Sequence, residues 1–313
     1  MVSHHLQLYI KINLVINYIL GYNDYGDNMK IIDSWIFWVL IYLVSAVLFS
    51  QSFKKANRNM KNPGSLTILL EIFTGLFSLL MIPIFDIKFT PNLNTVLTLL
   101  IVICIYAITD RLNTEARYGL ETSTFSMVKR LSTVFMIIFG FIFLKEPIIL
   151  NKILGSLLII ISNIILTYDK GKFQINKYFL MAVISQFLFA IAMIINVDIS
   201  NHFNLAFYTW LTVTGPAILI SLLGRHSLKD LKAEFNCYDK PTFLIACFAW
   251  ALMLNSSIRS YQLGSIIIVA SLFSLTPILN SLAELLINKD KNKLTQKIII
   301  SILLLIGAIL VNL

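Results

Sequence analysis

Lys129 and Arg130 stand side by side inside an apolar run that extends from Ser123 to Leu144. Arginine offers a planar bidentate fork to a carboxylate or phosphate, and lysine a compact point charge, so the pair has the chemistry of an anion or zwitterion site. On a helix drawn through that run, Ser126, Arg130, Thr133 and Gly140 fall near one face, with Lys129 on its flank. A second polar series, Thr67, Glu71, Thr74 and Ser78, recurs at three- and four-residue spacing and makes another stripe. Glu71 can carry a coupling proton if burial favours its neutral form, or serve as the counter-ion of Arg130, the role we favour from the sequence. Thr276, Asn280 and Glu284 form a third stripe beside Pro277, whose ring frees a backbone carbonyl one turn earlier. Asn255 and Arg259 close a further apolar run, with Arg259 at its edge. The expected solute contacts are therefore Lys129, Arg130, Glu71, Ser126, Thr133, Asn255, Asn280 and Thr276, with no catalytic or metal-binding residue. A structural role for the basic pair carries equal weight: long cations snorkel to interfaces or pair with acids such as Glu71 and Glu284. Trp210, Trp250, Tyr106 and Tyr208 can stack on a flat solute, although aromatics at span ends more commonly form interfacial belts.

The elements that hold these residues are set by composition. Hydrophobic residues make up 58% of the 313 and charged residues 13%, against roughly 45–50% and 25% in soluble domains. An integral membrane protein is implied, and the net charge of +9 then describes basic residues that flank apolar runs rather than a nucleic-acid surface. Cys104 and Cys247 lie in apolar runs, and the four histidines are scattered, so neither a disulfide framework nor a metal site is expected. No cofactor is expected.

A helix needs about 20 apolar residues to cross about 30 Å of hydrocarbon, and ten runs approach that length. They fall at about 31–52, 65–86, 93–111, 123–144, 151–168, 177–197, 204–223, 242–259, 264–287 and 295–313. Connections are short, which makes successive helices antiparallel neighbours. Asn62, Pro63 and Gly64 mark a turn. Between the seventh and eighth runs, Ser227 can cap a short surface helix with Leu228, Leu231 and Phe235 on one face. Residues 1–28 form an extension that includes an acidic, Gly-containing segment, and Met29 before Lys30 is where translation is expected to start. No small-residue cleavage site marks a secretory signal there.

The two halves are alike. Aligning Tyr118 with Tyr261 brings Cys104 onto Cys247, Leu120 onto Leu263 and Thr133 onto Thr276, while Thr74 and Gly75 fall on Thr214 and Gly215. Leu272 and Phe273 then occupy the places of Lys129 and Arg130, so the basic pair belongs to one half only. Five spans per repeat force the second copy to enter the membrane inverted, a common build for secondary transporters with a site near the midplane.

Phe143, Leu144, Lys145, Glu146 and Pro147, followed by the helix from Lys152 through Gly155 to Asn163, resemble the signature of the EamA-type family of the drug/metabolite transporter superfamily. Ser274 to Ile278, with Pro277, is similar to the family's Pro-containing span, and Gly307 fits its closing helix. Lys145 stands where the family usually has Gly, and the turn from Asn288 to Lys293 lacks its Glu. The resemblance covers about 30–313. It implies an all-α integral membrane protein of ten transmembrane helices, as repeats over 30–170 and 175–313, in a bacterial plasma (inner) membrane. The implied activity is secondary transport of a small polar metabolite, such as an amino acid, by alternating access. The run around Lys129 and Arg130 also resembles nucleotide-sugar and sugar-phosphate carriers, which supplies a nucleotide-sugar or phosphorylated-metabolite antiporter as the alternative.

Sequence motifs of enzymes are missing: there is no His-Glu-x-x-His, no Gly-x-Ser-x-Gly and no phosphate loop. The expected partners are the bilayer, a small-molecule solute, and a coupling proton or counter-solute, with no nucleic acid and a monomer or homodimer as the unit. A membrane scaffold is a further alternative. Basic residues concentrate in the odd-numbered loops, which puts those loops in the cytoplasm and both termini outside; the family resemblance implies the opposite orientation.

Overall fold

A computed structural model describes residues 31–56, 61–120, 131–143, 150–167 and 176–273, with isolated positions between 125 and 129 and between 275 and 310. Residues 1–30 and the turn from Lys145 to Pro147 lie outside the described residues. Among those described, the helices in chain order are α1 (Trp35–Ala56), α2 (Pro63–Leu79), α3 (Leu93–Gly119), α4 (Leu131–Ile142), α5 (Leu150–Thr167), α6 (Lys177–Ile199), α7 (Leu205–Gly224), α8 (Leu228–Phe235), α9 (Lys240–Leu263) and α10 (Ile266–Phe273). Helices are what a membrane demands, because each backbone N–H and C=O must be bonded within its own segment.

Five are long and apolar enough to cross a bilayer: α1, α3 as far as Ala116, α6 with the turn that follows it, α7 and α9. α2 and α4 are shorter apolar helices. The second expected span, drawn to residue 86, stops as a helix at Leu79, and Pro83 lies in a separate 3-10 turn, Ile82–Ile84. Asparagine opens several helices. Asn62 accepts from the amides of Gly64 and Ser65 ahead of α2, Asn92 from Thr95 ahead of α3, Asn176 from Tyr178 and Phe179 ahead of α6, and Asn204 from Phe207 ahead of α7. Asn62, Pro63 and Gly64 are thus a helix start, with Pro63 in the first turn where its missing N–H costs nothing.

Packing pairs α1 with α9, α3 with α6, and α2 with α7. α9 also meets α2, α7 also meets α3, and α10 meets both α4 and α1. Lipid tails offer no hydrophobic reward for helix association, so close approach through small residues has to drive it. Ser45, Ala46, Ser52 and Ala56 on α1, and Ala246, Ala249, Ala251, Ser256 and Ser260 on α9, are buried where those helices pack. Gly75 on α2 admits Thr214 of α7 so closely that a Cβ at Gly75 would sit 2.4 Å from its Oγ1. Outward faces are apolar instead: Leu40, Val44 and Leu48 on α1, and Leu97, Ile101 and Ile108 on α3, are exposed, the pattern of a surface turned to lipid.

The short helix α8 forms where Ser227 and Asp230 cap it reciprocally, as Ser227 allows. Leu231 and Phe235 pack onto Leu66, Leu69 and Phe243, and the rings of Phe73 and Phe235 stack at 5.3 Å. Leu228, expected on the same face, is instead exposed at the first position of the helix. Glu234 is 3% exposed; its carboxylate accepts from the amides of Lys61 and Asn62 at 3.0 and 2.9 Å and from the hydroxyl of Tyr238 at 2.5 Å. Burial first, and then that hydrogen bond to Glu234, push the Tyr238 phenol up from its ordinary range.

Candidate functional site

The polar stripe on α2 turns inward along its length. Glu71 is 1% exposed, Thr74 and Ser78 not at all, and each meets a different helix. Thr67 Oγ1 lies 3.5 Å from Thr114 Oγ1 on α3, and Asp110, one turn earlier on α3, acts electrostatically on Glu71. Thr74 donates to the Cys247 carbonyl of α9 at 3.3 Å, and Ser78 to the Ala206 carbonyl of α7 at 2.9 Å. Asn255 on α9 closes the group: its Nδ2 donates to Ser78 Oγ at 2.9 Å, and its Oδ1 accepts from Thr209 of α7 at 3.0 Å.

A second network joins α3, α6 and α7. Tyr208 donates to Asn196 Oδ1 at 2.5 Å, and Asn196 donates in turn to Tyr106 Oη. Nearer the ends of α3 and α6, Asn113 Oδ1 accepts from Ser185 at 2.8 Å and from Gln186 at 3.0 Å. Tyr106 and Tyr208 are interior hydrogen-bonding groups, not the belt aromatics that span ends more often carry. Trp250 stacks on Phe49 at 5.8 Å between ring centroids, and Trp210 lies over Gly75.

Among the described residues, Glu71 Oε2, Thr109 Oγ1 and Thr214 Oγ1 are buried without a hydrogen-bond partner. Pro216 adds backbone capacity on α7, because its ring withholds the amide that the Thr212 carbonyl would otherwise receive. An orphaned buried polar group costs about 1–3 kcal/mol, so the crossing of α2, α3 and α7 holds unused donors and acceptors that a polar solute can engage.

Of the residues expected from sequence, the structure brings together Glu71 and Asn255, through Ser78 and Thr74 on the α2 stripe. Thr276 donates to the Phe273 carbonyl of its own segment at 2.6 Å, and Asn280 donates to Ser50 Oγ of α1 at 3.2 Å, which sets Asn280 against α1. Thr133 is half-buried on α4, and Lys129 is exposed next to buried Val128. Ser126, Arg130, Pro277 and Glu284 lie outside the described residues, so the pairing of Glu71 with Arg130 does too. Asp110, Asn113, Gln186 and Asn196 were missed. Each is a polar residue within or at the edge of an apolar run, and that rarity alone could have flagged them.

At the end of the bundle where α1 begins, Arg259 reaches Asp33 at 3.7 Å and Gln262 at 3.2 Å, and Gln262 donates to Ser200 at 2.7 Å. Phe85, Asp86, Lys88, Asn201 and Phe203 surround a small recess beside this cap.

An apolar-faced helical bundle with a polar interior is the build of a multi-pass integral membrane protein. Residues 33–168 match the EamA-like transporter family, part of the drug/metabolite transporter superfamily. A crystal structure 11% identical in sequence superposes with a TM-score of 0.69, over 88% of this chain and 96% of its own, so the shared fold extends beyond the family segment. None of the curated proteins compared matches the chain.

Proposed function

We propose that the protein is a secondary active transporter, an exporter or exchanger, that moves a small polar metabolite such as an amino acid by alternating access across a bacterial plasma membrane. The observation that carries this reading is the buried polar crossing of α2, α3, α7 and α9, with oxygens left over in Glu71, Thr109 and Thr214. A merely structural polar core would consume its own hydrogen-bonding capacity.

Ten spans in two inverted five-helix repeats, 30–170 and 175–313, complete the proposal. Helix packing supports it. If α1 corresponds to α6, α2 to α7, α3 to α9 and α4 to α10, then exchanging the halves turns the α1–α9 contact into α6–α3, α2–α9 into α7–α3, and α1–α10 into α6–α4. The α2–α7 and α4–α10 contacts map onto themselves. Rocking of one repeat on the other about the α2–α7 crossing would expose the polar interior to each side in turn. Lys129 and Arg130 bias the solute towards anionic or zwitterionic chemistry in this proposal.

The test is a stabilisation and vesicle-transport screen of the purified chain with amino acids, nucleotide sugars and lipophilic cations, repeated with Asn255→Ala and Arg130→Ala. The amino-acid arm should both raise the melting temperature and show uptake. A response confined to nucleotide sugars would move the reading to an antiporter of phosphorylated metabolites. A protein stabilised by none and moving none is a scaffold. Full activity in Arg130→Ala would remove the basic pair from the site.

A further inference from the structure

The recess at the end where α1 begins holds charge that the transport proposal leaves unused. Three segments build it: the connection between α2 and α3 supplies Asp86 and Lys88, the turn between α6 and α7 supplies Ser200 and Asn201, and the last turns of α9 supply Arg259. Asn204 fixes the first of these to the second. Its Nδ2 donates to the carbonyls of Ile82, Phe85 and Asp86 at 3.0, 3.1 and 3.2 Å, and the Thr90 amide donates to the His202 carbonyl at 2.9 Å. The Lys88 amide closes a three-residue turn onto the Asp86 carbonyl at 3.0 Å, so the two charged residues flank exposed Ile87.

Arg259 is incompletely used. Its Nη1 donates to Gln262 at 3.2 Å and its Nη2 lies 3.7 Å from Asp33, while its Nε is buried and has no hydrogen-bond partner among the described residues. A cationic donor cut off from water without an acceptor is costly, and a carboxylate is the acceptor whose two oxygens match the edge of a guanidinium. Asp86 and Lys88 are exposed, and among the described residues neither forms a salt bridge, with the other or with Arg259. One opening therefore offers two cations and one carboxylate. A bare anion is drawn by Arg259 and Lys88 and repelled by Asp86, whereas a solute with a carboxylate and an ammonium on one carbon meets both signs. Buried Phe85 and Phe203 back the recess, which lowers the local polarity and strengthens each charged contact. Its enclosed volume of about 30 Å³ admits a charged head and leaves the solute's side chain in the open mouth.

We propose that this recess is a second solute site, which binds the zwitterionic head of an α-amino acid at the end of the bundle: Arg259 and Lys88 take the carboxylate and Asp86 the ammonium. It shares no residue with the polar crossing of α2, α3, α7 and α9. Its place at the water-facing end lets it gather solute on the way into the interior or out of it. The inference rests on the transport reading for that use, but occupancy of the recess can be observed without transport.

The experiment introduces Asn201→Cys on the exposed rim of the recess in the full-length protein, held in lipid nanodiscs where both ends are accessible. Its rate of reaction with a thiol reagent is followed by peptide mass spectrometry, which reads Cys104, Cys237 and Cys247 separately. L-Alanine should slow modification of the introduced thiol and leave Cys237 unchanged. Propionate and ethylamine, at matched ionic strength, should each need about tenfold more for the same protection, the scale of one lost charged contact. Lys88→Gln and Asp86→Asn change exposed side chains and should fold; each should raise the alanine concentration for half protection by about tenfold. Asn255→Ala, in the interior, should keep the protection. No protection by alanine, equal protection by propionate, or protection undiminished in both Lys88→Gln and Asp86→Asn overturns the proposal. So does protection lost in Asn255→Ala alone, which would make it a relay from the interior. Failure of the solute screen with protection present would remove the transport reading and leave the recess site standing; amino-acid uptake without protection would do the reverse.

Discussion

Asn255 shows how a single side chain holds the crossing together. It bonds Ser78 of α2, Thr209 of α7 and the Ala251 carbonyl of its own helix. Asn255→Ala leaves Ser78 with its bond to the Ala206 carbonyl and strips Thr209 of its acceptor, which should cost about 1–2 kcal/mol, measured by thermal denaturation in detergent. Asn255→Asp should be worse than Asn255→Ala if the site is dry, because a charge replaces the donor that Ser78 receives. Residue types at this scale were legible where periodicity exposed them: Thr67, Glu71, Thr74 and Ser78 read as one inward stripe and are one. Their partners were not. Asp110 belongs to the end of an expected span, where a carboxylate reads as solvated, and nothing along the sequence says that α3 passes beside Glu71. Asn255 was found because an amide in an apolar run is rare enough to need a reason.

At the scale of elements, the α2–α7 crossing depends on Gly75. Gly75→Ala puts a methyl group 2.4 Å from Thr214 Oγ1 and 3.0 Å from the Trp210 ring, so the Thr214 side chain or its helix must shift. A loss of about 1–3 kcal/mol in thermal stability is expected, and Thr214→Ala in the same chain should recover part of it. Failure to recover would place the clash at Trp210 alone. The match of Thr74 and Gly75 to Thr214 and Gly215 was visible in the sequence. Their meeting was not, since a repeat does not state the axis that relates its copies. α8 supplies a pH dependence. Hydrogen bonds from the Ser227 hydroxyl and then its amide hold the Asp230 carboxyl below the usual aspartate range. A folded value below the unfolded one stabilises above the unfolded value and fades as pH falls through the folded one. Hydrogen exchange of the α8 amides, relative to intrinsic rates, should therefore speed up on strong acidification, and Asp230→Asn should remove that dependence.

Over the whole molecule, most of the charged residues among those described fall at two ends. Lys54, Lys55, Lys61, Arg111, Lys177, Arg225, Lys229, Lys232 and Lys240 gather where α1, α3 and α7 end and α2, α6 and α9 begin. Asp33, Asp86, Lys88, Asp198 and Arg259 share the other end. Loop charge taken alone would put the α8 end in the cytoplasm, against the orientation that the family resemblance implies and that we favour. A cysteine at Lys229 should then be labelled by an impermeant maleimide in intact cells while one at Lys88 resists; the reverse pattern would establish the orientation that loop charge implies. The all-helical membrane architecture was legible from composition alone. The inward polar wiring was less so, because interior and lipid-facing sides of a span are both apolar and differ only in the few residues that break the rule.

Glu234 gives α8 a mechanical meaning. Its carboxylate grips the two amides that lead into α2 from a helix with a capped, charged start. Whatever seizes the outer side of α8, at Lys229 or Lys232, therefore has a rigid lever on the helix that carries Glu71 and Gly75. An antibody fragment fixed there should brake solute exchange without touching the interior, and Glu234→Ala should release that brake, read as exchange rate in vesicles with and without the fragment.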